Sequence, residues 1–476
     1  MSKKYIFLLS LCCALSCADI LDQEPIGILD AGAFLNSVSD ARQAVNAAYE
    51  PLLINNQNNN FYWAFGLIAS DDAITGGDGS RKGIEEIDFL EHTPRTQELN
   101  DFWKLNYAGI IQANTVIEKV PAIEGDAATK NAIIAEAQFL RAWYHFQLAQ
   151  VFGGVPLITA IQAPDEVKVP RNSLEELYAQ IILDCEEAAT NLPLTYGAES
   201  IGRATNGAAL GLKAKTQLYQ KNWEGVVATI QQIKALQLYN LVDNYQDNFK
   251  EGQQNNSEAL WEIQHANLEL GVGNNLNQWW TSKKIPDGYG FAEVTQDLVD
   301  AFEVGDPRLS FTVAQNGDVY LGRIYKRSFS STGYSPAKFL QSTEEVTQIS
   351  DGSINYPAIR YAEVLLWEAE ALTELGSMVD ALISLEQVRA RARNQSADPA
   401  TMLPKIATTD QTALMELIRQ ERRVELGFEF HRFFDLVRWG IADQEMEGFQ
   451  KNKHEYFPIP QTELDLNPLL EQNQGY

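Results

Sequence analysis

The chain has 476 residues, of which 45% are hydrophobic and 10% aromatic, and carries a formal net charge of -27. That length and apolar content are enough for a large packed core. A field of this sign repels phosphate backbones and anionic headgroups, which excludes nucleic acid as a partner.

The N-terminus has the layout of an export signal. Lys3 and Lys4 form a basic start, and Tyr5 to Leu15 form an apolar run too short to span a bilayer. Small residues then lead into Cys17 through Ala14, Leu15 and Ser16. This order resembles a bacterial lipoprotein signal, in which the thiol of the first mature residue receives a lipid; it departs from the usual form at Ala14, where leucine is commonest. The expectation is a signal peptide over residues 1–16, acylation of Cys17, and a polar tether over residues 17–40. An ordinary secretory peptide cut nearby is the alternative reading. No later apolar run is long enough to cross a membrane, so the chain is anchored and does not span. Cys12 and Cys13 leave with the signal, and Cys185 sits in an apolar-periodic helix as a buried free thiol, so no disulfide framework forms.

Along the body, residues 55–83 read as loop, rich in Asn and Gly. A helix follows over 132–152 ("AIIAEAQFLRAWYHFQLAQVF"), closed by Gly153 and Gly154. Residues 207–233 form a helix-turn-helix unit broken at Lys221 and Asn222, and residues 358–393 form another, broken at Gly376 and Ser377 with Asp380 placed to cap. Such pairs resemble tetratricopeptide-type repeats with degenerate, unevenly spaced copies; independent helices of a plain bundle give much the same local pattern. Between them, residues 251–345 read as long loops with a short strand at "EALWEIQ". The fold class is mainly α, with tetratricopeptide-like helix pairs, long irregular loops and a few short strands.

Catalytic and metal chemistry find little support. Glu421 and Glu425 share a helix face, with Glu429, His431 and Asp435 nearby, but Arg419, Arg422, Arg423 and Arg432 surround them. A salt-bridge lattice between packed helices accounts for these residues, and arginine neighbours lower a carboxyl pKa in the wrong direction for a general acid. The five histidines never occur at metal-ligand spacing, and HExxH, GxSxG and CxxC are absent. No cofactor or metal is expected. The stretch "DDAITGGDGSRKG" (71–83) departs from calcium-loop and phosphate-loop spacing and reads as a Gly-rich turn with a capped helix start.

Loop aromatics carry the binding chemistry. Sugar C–H faces stack on aromatic rings, while amides, Asp and Arg satisfy hydroxyls. Trp279 and Trp280 stand in Asn- and Gln-rich loop sequence, and in extended chain only one of them can face a ligand. Tyr289 and Trp63 are similar candidates, and Asp78 and Arg81 can hydrogen-bond hydroxyl groups. By contrast Trp103, Trp143, Trp223, Trp367 and Trp439 fall within helical periodicity and read as packing.

Six segments, at 135–157, 202–219, 294–309, 359–372, 418–440 and 456–476, together resemble the SusD/RagB family in its order. They include "AEAQFLRAWYHFQLAQVFGGVPL", "IRQERRVELGFEFHRFFDLVRWG" and the ending "YFPIPQTELDLNPLLEQNQGY". The resemblance implies a lipid-anchored outer-membrane protein of Bacteroidetes-type bacteria, exposed at the cell surface. It further implies a nutrient-capturing lid for a TonB-dependent (SusC-like) barrel transporter, taking an oligosaccharide or, in some members, a peptide, with no enzymatic activity. The expected division is an N-terminal helical region over 41–250, a ligand-binding segment over 251–345 and a C-terminal helical region over 346–476, with 17–476 one structural unit. The rival from another class is an envelope scaffold whose contacts lie along its concave helical face. A glycan hydrolase is a weaker third, since no carboxylate pair stands clear of arginines.

Overall fold

The computed structural model describes residues 35–53, 61–163 and 166–476. Cys17 and the signal segment lie outside the described residues. A capping box starts a helix at Val38, inside the range 17–40 expected to be tether. Ser37 Oγ accepts from the Asp40 N–H at 3.2 Å, while the Asp40 carboxylate accepts from the Ser37 N–H at 2.9 Å.

The N-terminal helices are α1 (Val38–Tyr49), α2 (Lys82–Asp88), α3 (Gln97–Lys119), α4 (Ala127–Phe152), α5 (Leu174–Asn191), α6 (Asn206–Tyr219) and α7 (Trp223–Ala235). Each of α3 to α7 packs on its predecessor. Helix α4 is buried on every side from Ala135 onward, the mark of a core helix. It ends at Gly153, whose φ of +73° places it against the Tyr456 ring. Cys185 is a buried free thiol within α5.

Short elements follow: α8 (Leu276–Trp280), α9 (Gln296–Ala301) and α10 (Arg308–Thr312). The C-terminal set is α11 (Tyr361–Glu374), α12 (Met378–Gln395), α13 (Gln411–Glu425), α14 (Arg432–Trp439), α15 (Ala442–Glu445) and α16 (Gln461–Leu466). The two expected helix-turn-helix units are α6 with α7 and α11 with α12. Lys221 and Gly376 turn them in left-handed backbone, Asn222 caps α7, and Ser377 rather than Asp380 holds the cap position of α12. Helix α11 packs on α7, and α13 packs on α11 and α12, so the two halves share a continuous helical stack.

Among the described residues, four two-stranded antiparallel ribbons complete the fold. They pair β1 (Ala73–Thr75) with β3 (Ala292–Val294), β2 (Ala259–Ile263) with β8 (Tyr356–Arg360), β4 (Val313–Ala314) with β7 (Ser335–Pro336), and β5 (Val319–Tyr320) with β6 (Arg323–Ile324). The strand expected at "EALWEIQ" is β2.

Residues 61–69 correct the loop reading of 55–83. The run "FYWAFGLIA" is buried throughout and includes a π-helical turn at Ala64–Ile68. Its apolar continuity was the available signal, masked by the asparagines on its N-terminal side.

The carboxylate lattice exists, but with different arginines. Glu421 pairs with Arg308 and Arg389, Glu425 with Arg308, Arg360 and Arg391, and Glu429 with Arg360 and Lys338. Of the arginines expected in that role, Arg422 does hold one of the expected acids, Asp435, but Arg419 holds Glu416, while Arg423 and Arg432 reach across to Asp71 and Asp72. Those last pairings commit Asp71 and Asp72 to guanidinium partners, in keeping with the departure of 71–83 from calcium-loop spacing. Burial raises the Glu425 carboxyl, and the charges of Arg391, Arg360 and Arg308 outweigh it, holding the group well below the ordinary glutamate range.

Glu262 in β2 behaves oppositely. It is 3% exposed and accepts from Asn355 Nδ2 at 2.8 Å and the Asn255 N–H at 3.0 Å. Burial pushes its carboxyl up to about 7 from 4.5. The folded state therefore keeps this proton longer than the unfolded chain, so stability is full below pH 4.5 and declines as pH rises through 7. Glu262→Gln is expected to be nearly neutral at acid pH and to stabilise by roughly 3 kcal/mol at about pH 8. Urea denaturation at both pH values reads the difference; equal effects at the two would remove the titration argument.

Candidate functional site

The β1–β3 ribbon sets two distant stretches side by side, with Ala73 opposite Val294 and Thr75 opposite Ala292. Beyond β1 comes the turn 76–81, and before β3 comes the stretch 282–291. Glycines are required where they meet. A Cβ on Gly76 would stand 2.2 Å from the Gly290 carbonyl oxygen, and Gly77, at φ +84°, would drive one to 2.8 Å from the Phe291 ring. Asp78 turns the loop by accepting from the Ser80 N–H at 3.1 Å, and the Ser80 side chain first, then this N–H, lower its pKa. The exposed Lys283 ammonium lies 3.6 Å from Asp78, a pair worth little in water. Helix α2 begins at Arg81 without a side-chain cap, unlike the capped start expected.

Trp279 and Trp280 lie in the short helix α8, not in extended chain, so their rings diverge by a helical step. Trp280 points inward, edge-on to Phe428 at 5.4 Å and to Phe430 at 5.8 Å. Trp63 packs edge-on to both α8 indoles, at 5.8 Å from Trp279 and 6.0 Å from Trp280. Trp63 and Trp280 are fully buried, which corrects their expected role as stacking platforms. Both join the core because the apolar run 61–69 folds beneath α8. Trp279 is 3% exposed, and the Arg81 guanidinium covers its ring at 4.9 Å.

Tyr289 is the exposed ring of the group at 41%, supported by Phe291 at 5.3 Å and tied to α8 by its N–H to the Gln278 carbonyl at 3.0 Å. Its chain neighbour Gly290 lines a polar cavity of about 390 Å³. Its walls include Gly77, Ser282, Lys283, Gly290, Glu293 and Ser331. The Glu293 carboxylate accepts from the Ser331 N–H at 2.8 Å and from the Ser331 hydroxyl. This carboxylate, the serines and the lysine can satisfy hydroxyl groups of a ligand lying against Tyr289. All six candidates chosen from sequence thus converge, with Asp78, Arg81 and Tyr289 at the surface and the three tryptophans beneath. Glu293, Ser331 and Lys283 were missed; the hydroxyl-rich run "RSFSSTGYSP" (327–336) was the visible signal for part of that wall.

The fold is of the SusD-like type, a helical stack carrying an irregular face. The family model described as "SusD family" matches residues 239–456, and one described as "Starch-binding associating with outer membrane" matches residues 35–218. The chain belongs to the SusD/RagB family. It is 26% identical to SusD-like protein P25 of Formosa agariphila, over 99% of this chain and 98% of that protein. Among solved structures it resembles a "Laminarin binding SusD-like protein", with 29% identity and a TM-score of 0.79 over 93% of this chain and 100% of the other. It also resembles a SusD-like carbohydrate binding protein of Bacteroides fragilis NCTC 9343, with 25% identity and a TM-score of 0.82 over 92% of this chain and 100% of the other.

Proposed function

We propose that this protein captures a neutral oligosaccharide at the outer surface of the cell, on the face formed by Tyr289, Arg81 and the Glu293–Ser331 cavity. The observation that carries the proposal is an exposed tyrosine whose chain neighbour lines a polar cavity, backed by a rigid aromatic stack. Stacking of a sugar face on Tyr289 supplies apolar contact, and the cavity wall supplies hydroxyl partners. Arg81 has a choice of partners, since its guanidinium can leave the Trp279 face to meet a ligand hydroxyl. The laminarin ligand of the relative at 29% identity makes glucan fragments the first probe. Acylation at Cys17 anchors the chain to the outer membrane, in keeping with the family description "associating with outer membrane". In this reading the protein is a lid and capture subunit of a TonB-dependent barrel, binds without transforming its ligand, and uses no cofactor.

A single exposed ring implies modest affinity, about micromolar to millimolar. Intrinsic fluorescence titrated with laminarihexaose should change saturably, because Trp279 lies directly under Arg81. Tyr289→Ala is expected to weaken binding about tenfold with the circular dichroism unchanged. A titration that Tyr289→Ala leaves untouched places the ligand elsewhere, and silence to glycans followed by a response to peptides replaces the ligand class. Co-purification of a barrel transporter tests the lid role; recovery of other envelope proteins alone would favour the scaffold.

A further inference from the structure

A second and larger cavity, of about 800 Å³, opens between α12 and the stretch after α7. Helix α12 presents Gln387, Arg391, Asn394 and Gln395 to it, residues spaced so that they share one helix face. Asn240 and Asn244 stand opposite, with Phe311 and Tyr361 as aromatic wall. Gln395 straps the two sides together by donating its amide to the Asp243 carbonyl. None of these residues lines the first site.

Two wall residues hold unmet hydrogen-bonding capacity. Arg391 is 6% exposed, and its Nε–H has no partner in the protein; neither has the buried Gln395 Oε1. Both atoms lie just beneath the cavity wall with almost no surface open to it, so a ligand meets them only when the part-buried Gln395 side chain turns aside from its strap. An orphaned donor and an orphaned acceptor one helical turn apart then call for a group that supplies both, as a ligand hydroxyl or a water does, donating to Gln395 and accepting from Arg391. A carboxylate would satisfy only the arginine, and an ammonium only the amide. The charge of Arg391 is already matched, since its terminal nitrogens bind Glu258 at 3.1 Å and Glu425 at 2.5 Å. Asp243 at the rim adds a further negative charge against anions.

We propose that this cavity is a second binding site, for a neutral polyhydroxylated ligand of one or two sugar units. A volume of about 800 Å³ falls within the range of small-molecule sites, and amides with two aromatic rings are the groups that recognise sugar hydroxyls and ring faces. Two separate sugar sites would let one molecule hold two points of a glycan, raising retention without tight binding at either.

Saturation-transfer difference NMR of the full chain with glucose, galactose, mannose, xylose and laminaribiose tests this. Ala390→Trp fills the cavity from α12, and the milder double change Gln387→Ala with Asn394→Ala removes amide partners while leaving Arg391 in its ion pairs. With circular dichroism unchanged, at least one sugar should show two components. One should weaken about tenfold in Ala390→Trp and in the double variant, and persist in Tyr289→Ala. If no sugar signal responds to Ala390→Trp, the cavity holds water only and the proposal is overturned. If galacturonate gives a stronger Ala390→Trp-sensitive signal than galactose, the assignment to neutral ligands is overturned. Loss of the Tyr289-dependent component alone bears on the first site and leaves this one standing.

Discussion

Arg360→Met is expected to destabilise the protein by about 5 kcal/mol or more at neutral pH, enough to unfold a domain of ordinary stability. Arg360 is 1% exposed and binds three carboxylates. Its Nη1 donates to Glu258 and Glu425 at 2.7 Å each, its Nε to Glu429 at 2.7 Å, and its Nη2 to Glu429 at 2.9 Å and to the Glu425 carbonyl at 2.8 Å. Removing it leaves three buried carboxyl groups with less positive charge than they need, and uncompensated buried charge costs far more than the intact pairs contribute. The pH dependence has a definite sign. In the wild type, Glu425 contributes stability that is full above its ordinary pKa of 4.5 and is lost as pH falls toward its depressed folded value. In the variant, freed carboxyl groups protonate more readily, so its defect relative to wild type should shrink as pH falls. Arg360→Lys restores charge but not the five-donor fork, and should recover only part of the loss. Urea midpoints by circular dichroism decide the matter; a deficit within about 1 kcal/mol would mean the network relaxes around the gap.

Gly66→Ala is the second large effect, expected at about 3–5 kcal/mol. The added methyl would lie 2.0 Å from the Phe430 carbonyl oxygen and 2.7 Å from its carbon, both backbone atoms that cannot turn aside. Phe430 is itself in left-handed backbone, at φ +70°, and its ring stacks on Tyr356 at 4.6 Å, so the segment has little room to retreat. The strain would reach the ligand face, because Phe430 also packs edge-on to Trp280 and Gly66 lies in the turn that carries Trp63. Gly79→Ala is the control: it has φ +76° but nothing within 4 Å, and should cost about 1 kcal/mol. If the two substitutions prove equal, the close approach at Gly66 is not what holds the turn beneath α8.

Much of the scaffold was legible because its signals are local. The periodicity of α4, α6, α7, α11 and α12, the breaks at Lys221 and Gly376, and the strand β2 each depend on residues within a few turns of one another. The family resemblance, spread over six segments, carried the fold as a whole. The ligand face was legible only as a set of candidate residues. Asp78, Arg81 and Tyr289 reach the surface, but Trp63, Trp279 and Trp280 do not.

Sequence alone determined that this is a mainly helical, acidic protein, since periodicity, breakers and charge are properties of the chain itself, while the family was carried by the resemblance of its six segments. Tertiary structure decided which charge meets which, and which rings see water. Arg308 finds Glu421 across 113 residues, and Arg432 finds Asp71 across 361. The arginines nearest in sequence to Glu421 and Glu425 pair with other acids instead. The same holds for Trp279 and Trp280, whose exposure depends on a segment more than two hundred residues earlier folding beneath them. Pairing and burial are set by which surfaces the packed helices bring together, and local sequence does not encode that choice.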